Sequence, residues 1–176
     1  AEDSISLLLR RAKIEDISEV ARAYAKDIVG TLGYLPLALN QAGAYIEQTG
    51  CGLAGYIHLL DTQLMKALQT KDQFSSDYSR SVTTTLSLSL EKIKEVDPVA
   101  TRLLYLLAFM HPDSIYEAYI LKGADALNAQ QAVIVNDDTL QRAIGDLFRY
   151  SLIRTDPING VISIHRLTQI VVRASL

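Results

Sequence analysis

The stretch Gly30-Thr-Leu-Gly-Tyr-Leu-Pro-Leu-Ala-Leu-Asn-Gln-Ala-Gly-Ala-Tyr-Ile46 carries the strongest structural signal in this chain. Gly30 and Gly33 predict the end of one helix, because glycine readily takes the left-handed conformation that closes a helix. Pro36 then predicts the first turn of the next helix, where its missing backbone N–H costs nothing. The small residues that follow let a neighbouring helix approach closely. The stretch therefore predicts two consecutive helices joined by a tight turn.

Apolar residues at helical spacing continue on both sides of this stretch. Upstream, one helix is predicted around Leu8, with Asp3 or Ser4 as its cap. The second predicted helix carries its apolar positions at Ile17, Val20, Ala21, Tyr24 and Ile28. Downstream of the stretch, a fourth helix is predicted from about Leu53 to Leu68. Four short helices with tight connections predict a small bundle over residues 1–69.

Residues 70–81 are polar and show no apolar period, which predicts a linker. Helical periodicity resumes after it. Asp97-Pro98 and Asn136-Asp-Asp138 each predict a helix start, because a side-chain oxygen there can accept a hydrogen bond from the first helical N–H groups. The predicted organisation is a helical subdomain over 1–69, a linker over 70–81 and a second subdomain over 82–176.

Near the end of the chain, two short β-prone runs flank a turn. Leu152-Ile-Arg-Thr155 precedes Asp156-Pro-Ile-Asn-Gly160, and Val161-Ile-Ser-Ile164 follows it, which predicts a β-hairpin with one more helix after it. Helices followed by a small hairpin are typical of a winged helix. The predicted fold class is mostly α: a small four-helix bundle followed by a winged-helix domain with a short β-hairpin.

Composition and charge exclude several classes of function. The 176 residues carry a net charge of −3 and neither half of the chain is basic, which argues against a nucleic-acid partner bound by phosphate neutralisation. Cys51 is the single cysteine, so no internal disulfide is expected. No signal-peptide pattern begins the chain, and its longest apolar run, Leu103–Met110, is far shorter than the roughly 20 residues of a membrane span. We expect a cytoplasmic part of a larger protein, without a membrane partner.

The chain offers little material for catalysis. Its three histidines and one cysteine show no metal-ligand spacing, and no Gly-x-Ser-x-Gly nucleophile motif occurs. No glycine is followed by lysine, so the phosphate-cradling P-loop is missing from this sequence. We therefore predict no catalytic residues, no metal site and no independent enzyme activity.

Two positions are candidates for ligand contact. The turn Gly33-Tyr-Leu-Pro36 places backbone and a rigid ring at the start of a helix, and this flat, apolar surface suits a purine; the alternative is an ordinary helix start packed in a bundle. His165 stands between a strand and a helix, where an imidazole N–H and the helix N-terminus favour a phosphate oxygen. The alternative for His165 is a hydrogen bond to nearby backbone carbonyls.

A DNA-binding alternative rests on five arginines in the C-terminal third, with the helix from Asp138 to Tyr150 as its recognition helix. They are Arg142, Arg149, Arg154, Arg166 and Arg173. Acidic residues lie among them along the sequence, which favours a mixed, solvated surface instead.

Taken in order, the two candidate stretches resemble the C-terminal half of the NB-ARC module of NLR-type signal-transduction (STAND) ATPases. Leu32-Gly-Tyr-Leu-Pro-Leu-Ala-Leu39 is similar to that family's Gly-x-Pro motif, and Ile164-His165-Arg166 is similar to its Met-His-Asp motif. Arg102–Asp113 resembles the first core helix of the family's winged-helix subdomain. The form His-Arg-Leu-Thr-Gln169 is closest to fungal NLR-like proteins and their tetratricopeptide-bearing relatives.

The resemblance implies a regulatory role in signal transduction of the innate-immunity type. An upstream P-loop domain would bind ADP or ATP, and a repeat sensor domain would follow downstream. Leu35 and Pro36 would border the adenine, and His165 would contact the β-phosphate of ADP and hold the inactive state. Exchange to ATP would release the winged helix and allow homo-oligomerisation. This fragment alone would bind neither nucleotide tightly.

The sequence departs from the family motif at Arg166, where the family has an acidic residue, so the resemblance assigns no restraining role to this position. Two alternatives stay open beside the nucleotide-gated lid and switch. One is a winged-helix DNA-binding regulator, which would show salt-dependent duplex binding. The other is a helical adaptor whose fold does not depend on nucleotide.

Overall fold

The computed structural model describes residues 1–15, 18–69, 77–126 and 136–176. Over these ranges the chain is mostly helical, with one small three-stranded antiparallel sheet. In chain order, the elements are α1 (Glu2–Arg11), α2 (Glu19–Thr31), α3 (Pro36–Thr49), α4 (Gly52–Gln69), α5 (Asp77–Val96), α6 (Pro98–Ala108), β1 (Ile115–Tyr116), α7 (Glu117–Ala126), α8 (Asp137–Arg149), β2 (Arg154–Asp156), β3 (Val161–Ser163) and α9 (Arg166–Ala174).

The chain separates into two compact units, residues 1–88 and 89–176, and the division falls within α5. Residues 70–76 of the predicted linker lie outside the described part of the chain. Its last residues, 77–81, are helical and open α5, which corrects the predicted start of regular structure at residue 82. These residues are polar and show no apolar period, so the sequence does not predict the helix. Ser81 is nevertheless buried, and its Oγ donates to the carbonyl of Thr31 at 3.1 Å.

Helices α1 to α4 of the first unit pack against one another. α1 contacts α2 and α3, and α4 contacts the same two helices. Their shared core is made of large apolar side chains that are almost fully buried, among them Leu8, Ile28, Leu39, Tyr56 and Leu60. Burying each such side chain stabilises the fold by roughly 1.5–3 kcal/mol, so this core fixes α3 and the turn before it.

Gly43 is the point of closest approach between α1 and α3. A methyl group added there would lie 2.7 Å from Cβ of Arg11 and 3.1 Å from the carbonyl oxygen of Leu8. A residue without a side chain at position 43 is therefore required for this close approach, as the sequence predicts. The same region carries an ion-pair cluster in which Glu47 accepts from Arg11 and, at 2.6 Å, from Lys13.

Two predictions for the first unit are wrong in detail. Neither Asp3 nor Ser4 caps α1, which begins at Glu2 and has no side-chain cap. The buried face of α2 consists of Ala25, Ile28 and Val29, whereas Val20 is 64% exposed. Helical spacing alone does not show which of two overlapping apolar faces of α2 is buried. The face that carries Ala25, Ile28 and Val29 is buried because α2 packs against α1 and α4. The predicted position Ile17 lies outside the described residues.

The second unit places α6 at its centre, in contact with α8 and α9. Asp97 caps α6 by accepting hydrogen bonds from the N–H groups of Val99 (2.7 Å) and Ala100 (3.0 Å), and Pro98 occupies the first turn. Asn136 caps α8 through the N–H of Thr139 at 2.8 Å. Both predicted helix starts are confirmed, because a cap depends on local sequence.

The sheet has the order β1-β3-β2, with both pairs antiparallel. β2 and β3 form the predicted hairpin, in which Thr155 lies opposite Ile162. β1 was not predicted, because its two residues are too short to show an alternating pattern. It pairs Ile115 with Ile162, so that the hairpin closes against the segment after α6.

Candidate functional site

Leu35 and Pro36 lie at a tight junction between α2 and α3. Gly33 has a φ of +61° just after the helix end. Its N–H donates to the carbonyl of Gly30 (3.0 Å), and that of Tyr34 donates to the carbonyl of Val29 (3.0 Å). These two bonds are the Schellman arrangement that ends a helix with a left-handed residue. Leu35 then returns to extended geometry and Pro36 opens α3, as the sequence predicts.

The exposure of this junction leaves part of it free to contact a ligand. Pro36 is exposed and Leu35 is half-buried. Neither side chain carries a hydrogen-bonding atom, so they can offer a ligand only apolar surface. That fits the flat face of a purine base but supplies no discrimination between bases.

Tyr34 is a residue of this junction that the sequence did not single out as a site residue. Its φ is +60° and its side chain is 50% exposed. A non-glycine residue in the left-handed region costs about 1 kcal/mol or more, and such strain is concentrated at functional sites. Only Gly33 beside it hints at the conformation in the sequence. The tyrosine ring adds a second flat surface next to Pro36.

An open cavity of about 460 Å³ lies beside Tyr34 in the same unit. Its walls include the apolar Ile5 and Val29 and the basic Arg22 and Lys26, while Leu35 and Pro36 do not line it. Arg22 is engaged in an ion pair with Glu2 at the rim. The cavity therefore borders the junction without containing the two predicted residues.

His165 is exposed and forms the N-cap of α9. Its Nδ1 accepts a hydrogen bond from the N–H of Leu167 at 3.1 Å. A neutral imidazole that accepts through Nδ1 carries its proton on Nε2. The cap therefore fixes the tautomer and leaves Nε2–H as an outward donor. The alternative prediction is a hydrogen bond from His165 to nearby backbone carbonyls. In the structure the partner of the ring is instead a backbone N–H.

Hydrogen bonds on both sides of His165 join this segment to the end of α6 and to the loop that follows α6. Before it, the N–H of Ile164 donates to the carbonyl of Pro112 at 2.8 Å. After it, the buried Gln169 donates through Nε2 to the carbonyls of Leu107 (3.0 Å) and Met110 (2.9 Å). Arg173 adds a bond from Nη1 to the carbonyl of Ala108 at 3.0 Å.

Gln169 and Arg173 were missed as site-supporting residues at the sequence level. A polar residue one turn after a cap, on the buried side of an otherwise apolar helix, is the signal that could have found Gln169. A pattern does not show which carbonyls it meets.

A second polar cluster in this unit joins α6 to α8. Arg142 Nε lies 3.6 Å from Asp97 Oδ2. Burial, followed by a hydrogen bond with Asp97, raises the pKa of Asp146 above its usual range, although Arg149 and Arg142 oppose the shift. The cluster stabilises a helix start and brings two carboxyl groups together. It is not close in sequence to any predicted site residue.

Chemistry beyond contact is limited in the part of the chain that the structure describes. There, no group of three or more His, Cys, Asp or Glu side chains could hold a metal ion. No described helix is long and apolar enough to cross a membrane. Leu35 and Pro36 share one turn in the first unit, and His165 belongs to the second unit.

Comparison with known proteins gives a distant relationship. A curated protein of Hyaloscypha variabilis, described as a nucleotide-binding leucine-rich repeat (NLR)-like protein, is 27% identical over 181 residues. The alignment covers 97% of this chain. The chain is a distant relative of an NLR-like protein. It spans only 17% of the length of that relative, so the NLR-like protein contains much more than this region.

A family model described as a domain of unknown function (DUF7779) matches residues 91–176. The match covers most of the second unit and includes His165, Gln169 and Arg173. No solved structure matches the chain. The NLR-like relationship therefore rests on sequence, and the family match adds no function.

Proposed function

We propose that this chain is the regulatory lid and switch of an NLR-like, nucleotide-gated signalling ATPase of the cytoplasm. Residues 1–69 act as a four-helix lid subdomain of the ARC type, and residues 82–176 act as a winged-helix subdomain. The nucleotide, ADP or ATP, is held by an upstream P-loop domain, and repeats that sense a ligand follow downstream. The ATP-bound form releases the winged helix and oligomerises.

One observation carries this proposal: the cap that His165 makes on α9. Because Nδ1 is occupied by the N–H of Leu167, the free ring nitrogen is a donor suited to a phosphate oxygen. The N-terminus of α9 adds favourable polarity for an anion. The exposed ring of Pro36, with Leu35, supplies the apolar contact for the base. Each contact by itself suits one part of a nucleoside diphosphate, and in our proposal its phosphates supply the negative charge to which the switch responds.

The distant NLR-like relationship supports the same function. Its alignment extends over almost the whole chain, including both candidate stretches. A hydrogen bond to a charged partner stabilises by about 1.5–3 kcal/mol. That is enough to bias a two-state equilibrium by roughly tenfold to a hundredfold. His165 can therefore bias the switch by itself, whereas the apolar contacts at Pro36 contribute less.

The arginines of the second unit favour this function over DNA binding. On α8, Arg149 pairs with Asp146 at 3.0 Å and Arg142 lies near Asp97. Partner carboxylates at these positions neutralise the face that would have to meet phosphates. A recognition helix built on Asp138–Tyr150 is therefore poorly suited to the duplex.

The test is the rate of ADP dissociation from the full-length ATPase. We expect His165→Ala to accelerate it at least tenfold, and His165→Ser, which keeps a capping oxygen, to do nearly the same. His111→Ala is the matched control, because His111 is also exposed in this unit and makes only local bonds with Asp113. An unchanged rate in both His165 variants would overturn the proposal.

The isolated chain provides a second test. Contacts from two apolar side chains and one imidazole cannot replace a phosphate cradle, so we expect ADP to bind it only weakly. Calorimetry should give a dissociation constant weaker than about 10 μM, which corresponds to about 7 kcal/mol. Tighter binding would show that the chain holds the nucleotide without a P-loop domain.

A further inference from the structure

Carbonyl groups at the end of α6 and in the turn that follows it accept hydrogen bonds from α9. The last carbonyls of any helix lack intrahelical partners, and leaving them buried without a donor is costly. Here Gln169 of α9 donates to the carbonyls of Leu107 and of Met110, which lies in the turn after α6, and Arg173 donates to that of Ala108. The carbonyl of Leu107 also accepts from the N–H of Met110 at 3.3 Å. The end of α6 is therefore hydrogen-bonded to α9 at two places, at Gln169 in the N-terminal half of α9 and at Arg173 near its C-terminus.

His165 lies between two residues, Ile164 and Gln169, that hydrogen-bond to α6 or to the loop after it. Ile164 is bonded to Pro112 immediately before it, and Gln169 is bonded to the end of α6 one helical turn after it. The N–H of Gln169 also donates to the carbonyl of His165 at 3.1 Å. Gln169 thus contacts His165 through its backbone and α6 through its side chain. Its side chain is 4% exposed, so it does not reach a ligand itself.

We propose that Gln169 is a positioning residue, which fixes the direction of the His165 imidazole by anchoring the start of α9 to the end of α6. This inference rests on the proposed function, in which His165 contacts the nucleotide phosphate. Without the anchor, α9 would pivot on its apolar face, and the donor at its N-terminus would no longer point in one direction. Gln169 would then control ADP release although it touches no nucleotide.

The experiment is a double-mutant cycle in the full-length ATPase with His165→Ala and Gln169→Met. Methionine keeps the volume of the glutamine side chain and removes its N–H donors. We expect Gln169→Met alone to accelerate ADP dissociation about fivefold. In the His165→Ala background, the same change should leave the rate unaltered, because the group it positions is gone.

A merely structural role gives a different pattern. Thermal unfolding of each protein measures the loss of stability, which we expect to be the same in both backgrounds. If Gln169→Met lowers the unfolding temperature but leaves ADP dissociation unchanged, or accelerates it equally in both backgrounds, the positioning role is wrong. If the methionine variant does not fold, Gln169→Asn replaces it, because asparagine retains the N–H donor on a shorter side chain. We expect this variant to accelerate ADP dissociation less than methionine would, and only when His165 is present.

The outcomes also separate this inference from the function on which it rests. If His165→Ala itself leaves ADP dissociation unchanged, both the proposed function and the positioning role fall. If His165→Ala accelerates dissociation and Gln169→Met does not, the switch function stands and the anchor is only structural.

Discussion

The junction at Leu35–Pro36 and the helix start at His165 offer a ligand two different kinds of contact. The first is shaped by backbone bonds at the end of α2 and exposes apolar side chains next to a strained Tyr34. The second presents the Nε2–H of His165, at the start of a helix that is held by hydrogen bonds from Ile164 before it and Gln169 within it. Apolar surface gives affinity without direction, whereas a fixed donor distinguishes between ligands that differ in charge. This difference is our reason for proposing the switching role for His165 and not for the junction.

The largest contrast is expected between His165→Asp and Pro36→Ala in the full-length protein that we propose to be an ATPase. Aspartate keeps the cap of α9 but replaces the donor with a negative charge that repels phosphate. ADP dissociation should accelerate about a hundredfold, as expected from the loss of a charge-assisted hydrogen bond plus repulsion. Pro36→Ala removes little apolar area and should accelerate it only about threefold. Stopped-flow release of a fluorescent ADP measures both, and equal effects would contradict the division of roles.

A second contrast compares a tightly packed glycine of α3 with a glycine of α8 that has space around it. Gly43→Ala would place a methyl group 2.7 Å from Cβ of Arg11, so we expect a loss of about 2 kcal/mol in the free energy of unfolding. Gly145→Ala in α8 meets no atom within 4 Å and should instead stabilise by up to about 1 kcal/mol. Urea unfolding of the isolated chain compares the two. A neutral Gly43→Ala would mean that α3 can move away from α1 at little cost.

The strain at Tyr34 predicts a smaller effect of unusual sign. Tyr34→Asn should raise the free energy of unfolding by roughly 1 kcal/mol, because asparagine tolerates the left-handed conformation better than tyrosine. Tyr24→Asn is the control, since Tyr24 is also partly exposed but lies within α2. The control should be slightly destabilised. Destabilisation of the Tyr34 variant would show that its ring makes contacts that outweigh the strain.

The smallest contrast concerns the dependence of stability on pH. Ionisation of Glu47 in the first unit stabilises the fold, whereas ionisation of Asp146 in the second unit destabilises it. Burial alone would raise the pKa of Glu47, but hydrogen bonds from Lys13 and Arg11 lower it. Its contribution is therefore present above the usual carboxyl pKa of about 4 and is lost as the pH falls through the lowered value. Asp146 has a raised pKa, so it destabilises the fold above that value and the penalty disappears as the pH falls towards its usual one.

These signs predict opposite responses to neutralising substitutions. At neutral pH, Asp146→Asn should stabilise the chain and Glu47→Gln should destabilise it. Near pH 3 both differences should shrink. Unfolding temperatures recorded from pH 3 to pH 7 check this, and a stabilising Glu47→Gln at neutral pH would show that its ion pairs do not offset its burial.

Local signals in the sequence predicted much of this architecture, and tertiary contacts account for what was missed. The caps at Asp97 and Asn136 and the helix start at Pro36 depend on neighbouring residues, so their positions could be predicted. The buried face of α2, the short β1 and the partners of Gln169 depend on residues far away in the chain. At the site, the sequence predicted His165 at a helix start, but its tautomer follows from a bond that only the structure shows.

The most direct measurement is the ¹⁵N NMR signature of the His165 ring in the full-length protein, assigned by comparison with His165→Ala. With ADP bound, we expect the tautomer protonated at Nε2, with Nδ1 unprotonated. The Nε2 resonance should shift when ADP is exchanged for ATP. A ring protonated at Nδ1 alone, or an Nε2 resonance that is the same in both nucleotide states, would contradict the role of His165 as the contact that reads the nucleotide.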